Sequence, residues 1–171
     1  VGGRPSNLEV LTYLGECAYH GEGTRKNRPE AARLYRLAAE RGMPEAQANL
    51  AEMLASGEGA EKSPEDAARF FAAAAAQGVP EGQHGLGKCY EKGEGLEEDL
   101  AKAGYWYEQA ALQGHKPALE SLEHLEAVLR RQAQWGSNGE EDDSSLELTN
   151  YSELDGQGLG LAKDHHLTQW D

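Results

Sequence analysis

The stretch Leu86-Gly87-Lys88-Cys89-Tyr90-Glu91-Lys92-Gly93-Glu94-Gly95 has two counterparts earlier in the chain, and that recurrence decides the fold. A shift of 36 residues lays Leu14 on Leu50 and Leu86, and Gly21-Glu22-Gly23 on Gly57-Glu58-Gly59 and Gly93-Glu94-Gly95. The register holds in both directions. Glu9, Glu45 and Glu81 coincide, as do Ala31, Ala67 and Ala103, the pairs Ala38-Ala39, Ala74-Ala75 and Ala110-Ala111, and Gly42, Gly78 and Gly114. A further column, Tyr35, Phe71 and Tyr107, is aromatic throughout. Self-similarity at a fixed period of roughly 20 to 50 residues marks a solenoid, in which each unit buries its apolar face only by stacking on a neighbour.

Each unit divides into two helical stretches of about a dozen residues, near the usual helix length. In the second unit Ser63 is placed to cap a helix, Pro64 takes the first position where no amide hydrogen is needed, and Glu65 and Asp66 favour the positive helix end. Gly78 closes that helix in the left-handed conformation, with Gly42 and Gly114 in the same role. Pro44, Pro80 and Pro117 each open the next helix. The paired alanines let the second helix of a unit approach its neighbours, and the aromatic column fills the space between them.

The third copy, from Leu86 through Gly95, Ala103, Trp106-Tyr107 and Ala110-Ala111 to Gln113-Gly114, resembles the SEL-one-like repeat family, relatives of the tetratricopeptide repeat. The first copy departs at Ala18, in the column of Tyr90. The second has Ala51 in the column of Gly15 and Leu54 in that of Tyr90. The resemblance implies an all-α fold: a right-handed alpha-alpha superhelix of three 36-residue helix-turn-helix repeats plus a C-terminal capping helix. The repeats are expected at 8–43, 44–79 and 80–115. Residues 116–133 form the cap, a half unit with a polar outer side, and residues 1–7 a lead-in.

The charge is uneven. Of the net -14, residues 1–133 carry -6 and residues 134–171 carry -8, with Lys163 the one basic residue of the latter. From Gln134 onward apolar residues are scattered among Gly, Ser and Asp without period, so this segment is expected to be a disordered acidic tail. In it Ser144 precedes Glu147, and Ser152 precedes Asp155, at a spacing that acidophilic kinases read; both serines are candidate phosphosites, against a bland reading as a solubilising tail. The longest apolar run, Phe70 to Ala76, is far short of a membrane span, and the acidity speaks against nucleic acid and anionic lipid. No signal peptide is readable.

Chemistry-bearing patterns are sparse. The Gly-Glu-Gly triplets do not run into Gly-Lys-Ser/Thr and recur at one joint, as turns do. Cys17 and Cys89 stand two units apart, too far for a disulfide, and read as buried free thiols in a reducing, intracellular and most simply cytoplasmic setting. The histidines form no ligand cluster, no Ser or Cys beside a His is visible from spacing, and neither metal, cofactor nor catalysis is expected.

In relatives of this fold the first helix of each unit lines a concave face. Helical spacing away from Leu14, Leu50, Leu86 and Leu122 puts on it Glu9, Thr12, Tyr13, Glu16, Tyr19, Glu45, Ala48, Asn49, Glu52, Glu81, His84, Lys88, Glu91, Glu120 and His124. The bland reading is a solvated helix face. The sharper one is a groove for a basic or mixed-charge peptide or helix, contacted by Tyr13, Glu16, Tyr19, Asn49, Glu52, Glu81, His84, Lys88, Glu120 and His124, with the tyrosines as anchors. The chain is therefore expected to be a non-enzymatic adaptor or scaffold. The alternatives are a regulatory or targeting module of a longer multidomain protein and, more remotely, a small-molecule hydrolase.

Overall fold

A computed structural model describes residues 6–136 of the chain. Among them are seven α-helices and no strand: α1 (Asn7–His20), α2 (Arg28–Ala39), α3 (Pro44–Ser56), α4 (Pro64–Ala76), α5 (Pro80–Lys92), α6 (Leu100–Leu112) and α7 (Lys116–Gly136). The chain divides into two compact units, one ending at Ala127 and the other beginning at Val128. The first holds three helical hairpins and the opening turns of α7, an all-α solenoid with a closing helix. In the second, α7 continues helical through Gly136, past the expected tail boundary at 134, and Trp135 is exposed. Ser144 and Ser152 lie outside the described residues.

The punctuation works through the backbone. Asn27, Ser63 and Asp99 cap α2, α4 and α6, each accepting from the amide three residues on. Their own amides bond back to the carbonyls of Ala18, Leu54 and Tyr90, at 2.7, 3.0 and 2.9 Å. The side chains of that column differ in size but all pack in or on the core, and the carbonyl ties the turn in each copy. At the other joint the Ala pairs accept closing bonds: Gly78 N and Val79 N donate to Ala75 O and Ala74 O at 2.9 and 3.1 Å, and the bonds at Gly42 and Gly114 match them.

Burial follows the repeat. Ala38, Ala74, Ala110, Leu50, Leu86 and Tyr107 are 0–1% exposed. Leu14 departs from this pattern: expected to point inward like Leu50 and Leu86, it is 46% exposed. The reason is architectural. Leu50 and Leu86 are covered with the help of a preceding unit's second helix, and α1 has no such helix over it among the described residues. In α7 the deeply buried apolar residues are Ala118 and Leu125, and Leu122 is half-buried. Cys89 is buried but Cys17 only partly, and both thiols are free. Burial pushes the Cys89 thiol up to about 11, which leaves it protonated and unreactive near neutrality.

A glutamine pair staples successive units. Gln77 Nε2 donates to Gly42 O at 3.2 Å and to Gln47 Oε1 at 2.9 Å; Gln113 Nε2 repeats this on Gly78 O and Gln83 Oε1 at 3.0 and 2.8 Å. Gln47 and Gln83 are themselves buried, so each bond satisfies a group that would otherwise cost stability. The matching positions in the first unit are Leu11 and Arg41, which cannot form the pair.

The second glycine of the Gly-Glu-Gly turn has a further duty in the second and third units, beyond its positive φ. A Cβ on Gly95 (φ 73°) would overlap the carbonyl of Pro64 in the preceding unit, and one on Gly59 would meet the carbonyl of Arg28. Gly78 (φ 86°) faces open space. Gly78→Ala is therefore expected to cost about 1–2 kcal/mol from backbone strain alone, and Gly95→Ala clearly more; equal losses in urea denaturation would refute the inter-unit contact. Leu86→Ala, at a fully enclosed site, is expected to lose about 2–5 kcal/mol by the same measurement.

Candidate functional site

The first helices α1, α3 and α5 carry two adjoining hollows. One lies between α1 and α3, lined by Glu16, Tyr19, His20, Glu22, Asn49 and Glu52 over a floor of Tyr35 and Met53. The other lies between α3 and α5, lined by Asn49, Glu52, Glu81, His84, Lys88 and His115 over Phe71 and Gly85. Asn49 and Glu52 belong to both. Of the residues expected on this face, Glu16, Tyr19, Asn49, Glu52, Glu81, His84 and Lys88 are thus brought together. Tyr13, Glu120 and His124 are exposed but line neither hollow. Thr12 was expected to point outward and is buried at 5%; Ala48 is as deeply buried but lines the second hollow as expected. Thr12 tolerates this because its hydroxyl donates to Leu8 O at 2.9 Å within the helix.

Several of these side chains already have work within the fold. The Tyr19 hydroxyl donates to Glu58 at 3.0 Å, and the Arg28 guanidinium lies 5.5 Å from the ring centroid while its Nε sits 3.5 Å from the same carboxylate. The hydrogen bond to Glu58 and burial hold the Tyr19 phenol above its ordinary value. Glu91, expected to face a partner, instead accepts the hydroxyl of buried Tyr107. Burial first, and then Glu91, raise that phenol well beyond the tyrosine range.

Ser121 and His115 were not singled out from the sequence. His84 Nε2 lies 3.0 Å from Ser121 Oγ, and its ring is 5.2 Å from that of His115 and 5.5 Å from that of Tyr107. This polar cluster joins α5, α6 and α7 under the rim of the second hollow. Ser121 falls in the column of Tyr13, Asn49 and Gly85, whose side chains share no property that would have marked it. Among the described residues no group of three or more His, Cys, Asp or Glu is arranged to hold a metal.

The charges divide between the two sets of helices. Four ion pairs, Glu30–Arg33, Asp66–Arg69, Asp99–Lys102 and Arg28–Glu58, belong to the second helices, their caps and the turns. Glu16, Glu52, Glu81 and Lys88 in the hollows form none of them. No helix among the described residues is long and apolar enough to cross a membrane.

A stack of helical hairpins repeating every 36 residues defines a helical-repeat protein. The chain belongs to the Sel1 repeat family: a model of the Sel1 repeat matches residues 9–43, 44–79 and 80–115. Proteins of this family are generally protein-interaction scaffolds rather than enzymes. Among solved structures, the chain is similar to a Sel1 repeat protein from Oxalobacter formigenes, at 38% identity and a TM-score of 0.61 over 69% of this chain and 89% of that one. It is also similar to c5321, a protective antigen of uropathogenic Escherichia coli with an SLR fold, at 32% identity and a TM-score of 0.66 over 69% of this chain and 25% of that one. Cysteine rich protein B of Helicobacter pylori shares the fold at 18% identity and a TM-score of 0.54, over 70% of this chain and all of the other. No curated protein matches the sequence.

Burial, then His115 and Lys88, push His84 down to about 4, so it is neutral in the fold at pH 7. Between its ordinary value of 6.5 and about 4 the unfolded chain holds a proton that the folded one does not, so stability falls as pH falls through this window. The melting temperature is expected to drop between pH 7 and pH 5 by more in the wild type than in His84→Gln, which keeps a polar partner for Ser121 and does not titrate. Parallel pH profiles would refute the assignment.

Proposed function

We propose that the chain is an adaptor that holds an extended or helical segment of a partner protein across the two hollows of α1, α3 and α5. The observation that carries this reading is that Glu16, Glu52, Glu81 and Lys88 line the two hollows and form none of the ion pairs found on the second helices, their caps and the turns. Carboxylates outnumber the single lysine, so the partner segment is basic or of mixed charge, and complementarity sets partner choice and encounter rate more than raw affinity. Tyr19 offers an aromatic edge already fixed by Glu58, so little side-chain entropy is lost when it is covered. Asn49, shared by both hollows, can donate and accept with a partner backbone.

The test is a peptide array of graded charge probed with the full chain and with the triple variant Glu16→Lys, Glu52→Lys, Glu81→Lys. The wild type is expected to retain basic and mixed-charge peptides and the variant to lose them by roughly tenfold or more, with unchanged helix content by circular dichroism. Indifference of the wild type to peptide charge, or identical profiles for both proteins, would overturn the reading.

A further inference from the structure

The residues at one place on the first helices, 36 positions apart, are Glu16 in α1, Glu52 in α3 and Lys88 in α5, with exposed His124 next in α7. The column changes sign along the stack. Two helical turns earlier in the same helices, Glu9, Glu45 and Glu81 stay acidic throughout, so the inversion belongs to this column and not to α5 as a whole.

The two hollows differ accordingly. Between α1 and α3 the charged lining groups are Glu16, Glu22 and Glu52, with no lysine or arginine. Between α3 and α5 they are Glu52, Glu81 and Lys88, joined by His84 and His115. Lys88 is half-buried, and its charge reaches His84, one helical turn away, where it opposes protonation. It forms none of the four ion pairs, although Glu52 and Glu81 line the same hollow. The first hollow is therefore built for a cation, and the Lys88 side of the second for an anion.

Such a face is read locally. Helices stacked in this way stand about 10 Å apart, and exposed charges are largely screened beyond a Debye length of about 8 Å at physiological ionic strength. A partner thus meets Glu16, Glu52 and Lys88 nearly one at a time, and where its charges fall matters beside its net charge. A polyproline II segment rises about 3.1 Å per residue with three residues per turn, so its positions i, i+3 and i+6 line one side about 9 Å apart. That matches the helix spacing. A β-strand turns every third residue to the opposite side, and a helix would need about seven residues per step. Asn49 lies in both hollows, between the charged sites, and its amide can bond only a backbone whose own groups are free. A polyproline II chain has such a backbone, and a helix has spent it.

Resting on the docking reading above, we propose that the face selects charge order, and that its partner is an extended segment with basic residues at i and i+3 and an acidic residue at i+6. The basic pair lies over Glu16 and Glu52, and the acid meets Lys88. The segment crosses the helices with its acidic end at α5, so the sign change fixes how the partner is laid on the scaffold as well as which partner binds.

The test uses the full chain and two capped peptides of identical composition, with alanine and proline spacers. One carries lysine, lysine and glutamate three positions apart; the other has the glutamate between the lysines. Calorimetric titration at low ionic strength is expected to favour the first by about fivefold or more, with the difference shrinking as salt rises. Lys88→Glu, with helix content unchanged by circular dichroism, is expected to bind the two equally and to prefer a peptide with lysine at all three positions. Equal binding of the two isomers by the wild type, with the all-lysine peptide tightest, would overturn charge order and leave the docking reading standing. Failure of every peptide, the all-lysine one included, would overturn both. A preference between the isomers that persists in Lys88→Glu, or tighter binding of the same order at a spacing of seven in a helical peptide, would also overturn the proposal.

Discussion

The contact on which the rest depends is the seam between the second helix of one unit and the first helix of the next. At Ala38-Ala39, Ala74-Ala75 and Ala110-Ala111 the side chains are small enough for the helices to close, and the carbonyls of the same residues accept the bonds that end the helix. Packing and termination are thus carried by the same pair of residues. A larger side chain here would hold the helices apart and shift the glycine turn, the glutamine staple and the following helix with them. This coupling accounts for the pairs recurring unchanged through all three copies while neighbouring columns drift.

Because stacking is the source of stability, the function is free to occupy the face that stacking does not use. Three ion pairs, Glu30–Arg33, Asp66–Arg69 and Asp99–Lys102, lie within the second helices and their caps, and the aromatic column fills the gaps beneath the first helices. What remains on α1, α3 and α5 is a row of unpaired charges over two hollows floored by Tyr35, Met53 and Phe71. A rigid scaffold with an unsatisfied face suits protein recognition, and it agrees with the scaffold role general in the Sel1 repeat family. Neutral His84 and the Tyr107 hydroxyl, bonded into the α5–α6–α7 cluster, hold one end of that face in place.

Several parts of this arrangement were hidden from the sequence for identifiable reasons. The residues of the glutamine staple stand in the second and third copies and not in the first, so a search for columns shared by three copies passes over Gln47, Gln77, Gln83 and Gln113. Ser121 lies 37 residues from His84, and only the turn of α7 against α5 and α6 makes them partners. Leu14 shares its column with two fully enclosed leucines yet is exposed, because a column records a position within the unit and not whether a neighbour is present to cover it.

The sequence alone determined the period, the helical hairpin, the capping residues, the glycine turns and the apolar columns. Each of these is a local property, set by backbone conformation or by helical spacing within some twenty residues. The tertiary structure decided which column member is covered, which charges find partners within the fold, and which helices share a hollow. Those outcomes depend on what stands one unit away, and residue identity at a single position does not carry that information. Glu58 reads in the sequence only as part of a turn, but the fold brings Arg28 and Tyr19 to it, while Glu81 lines an open hollow and forms none of the ion pairs.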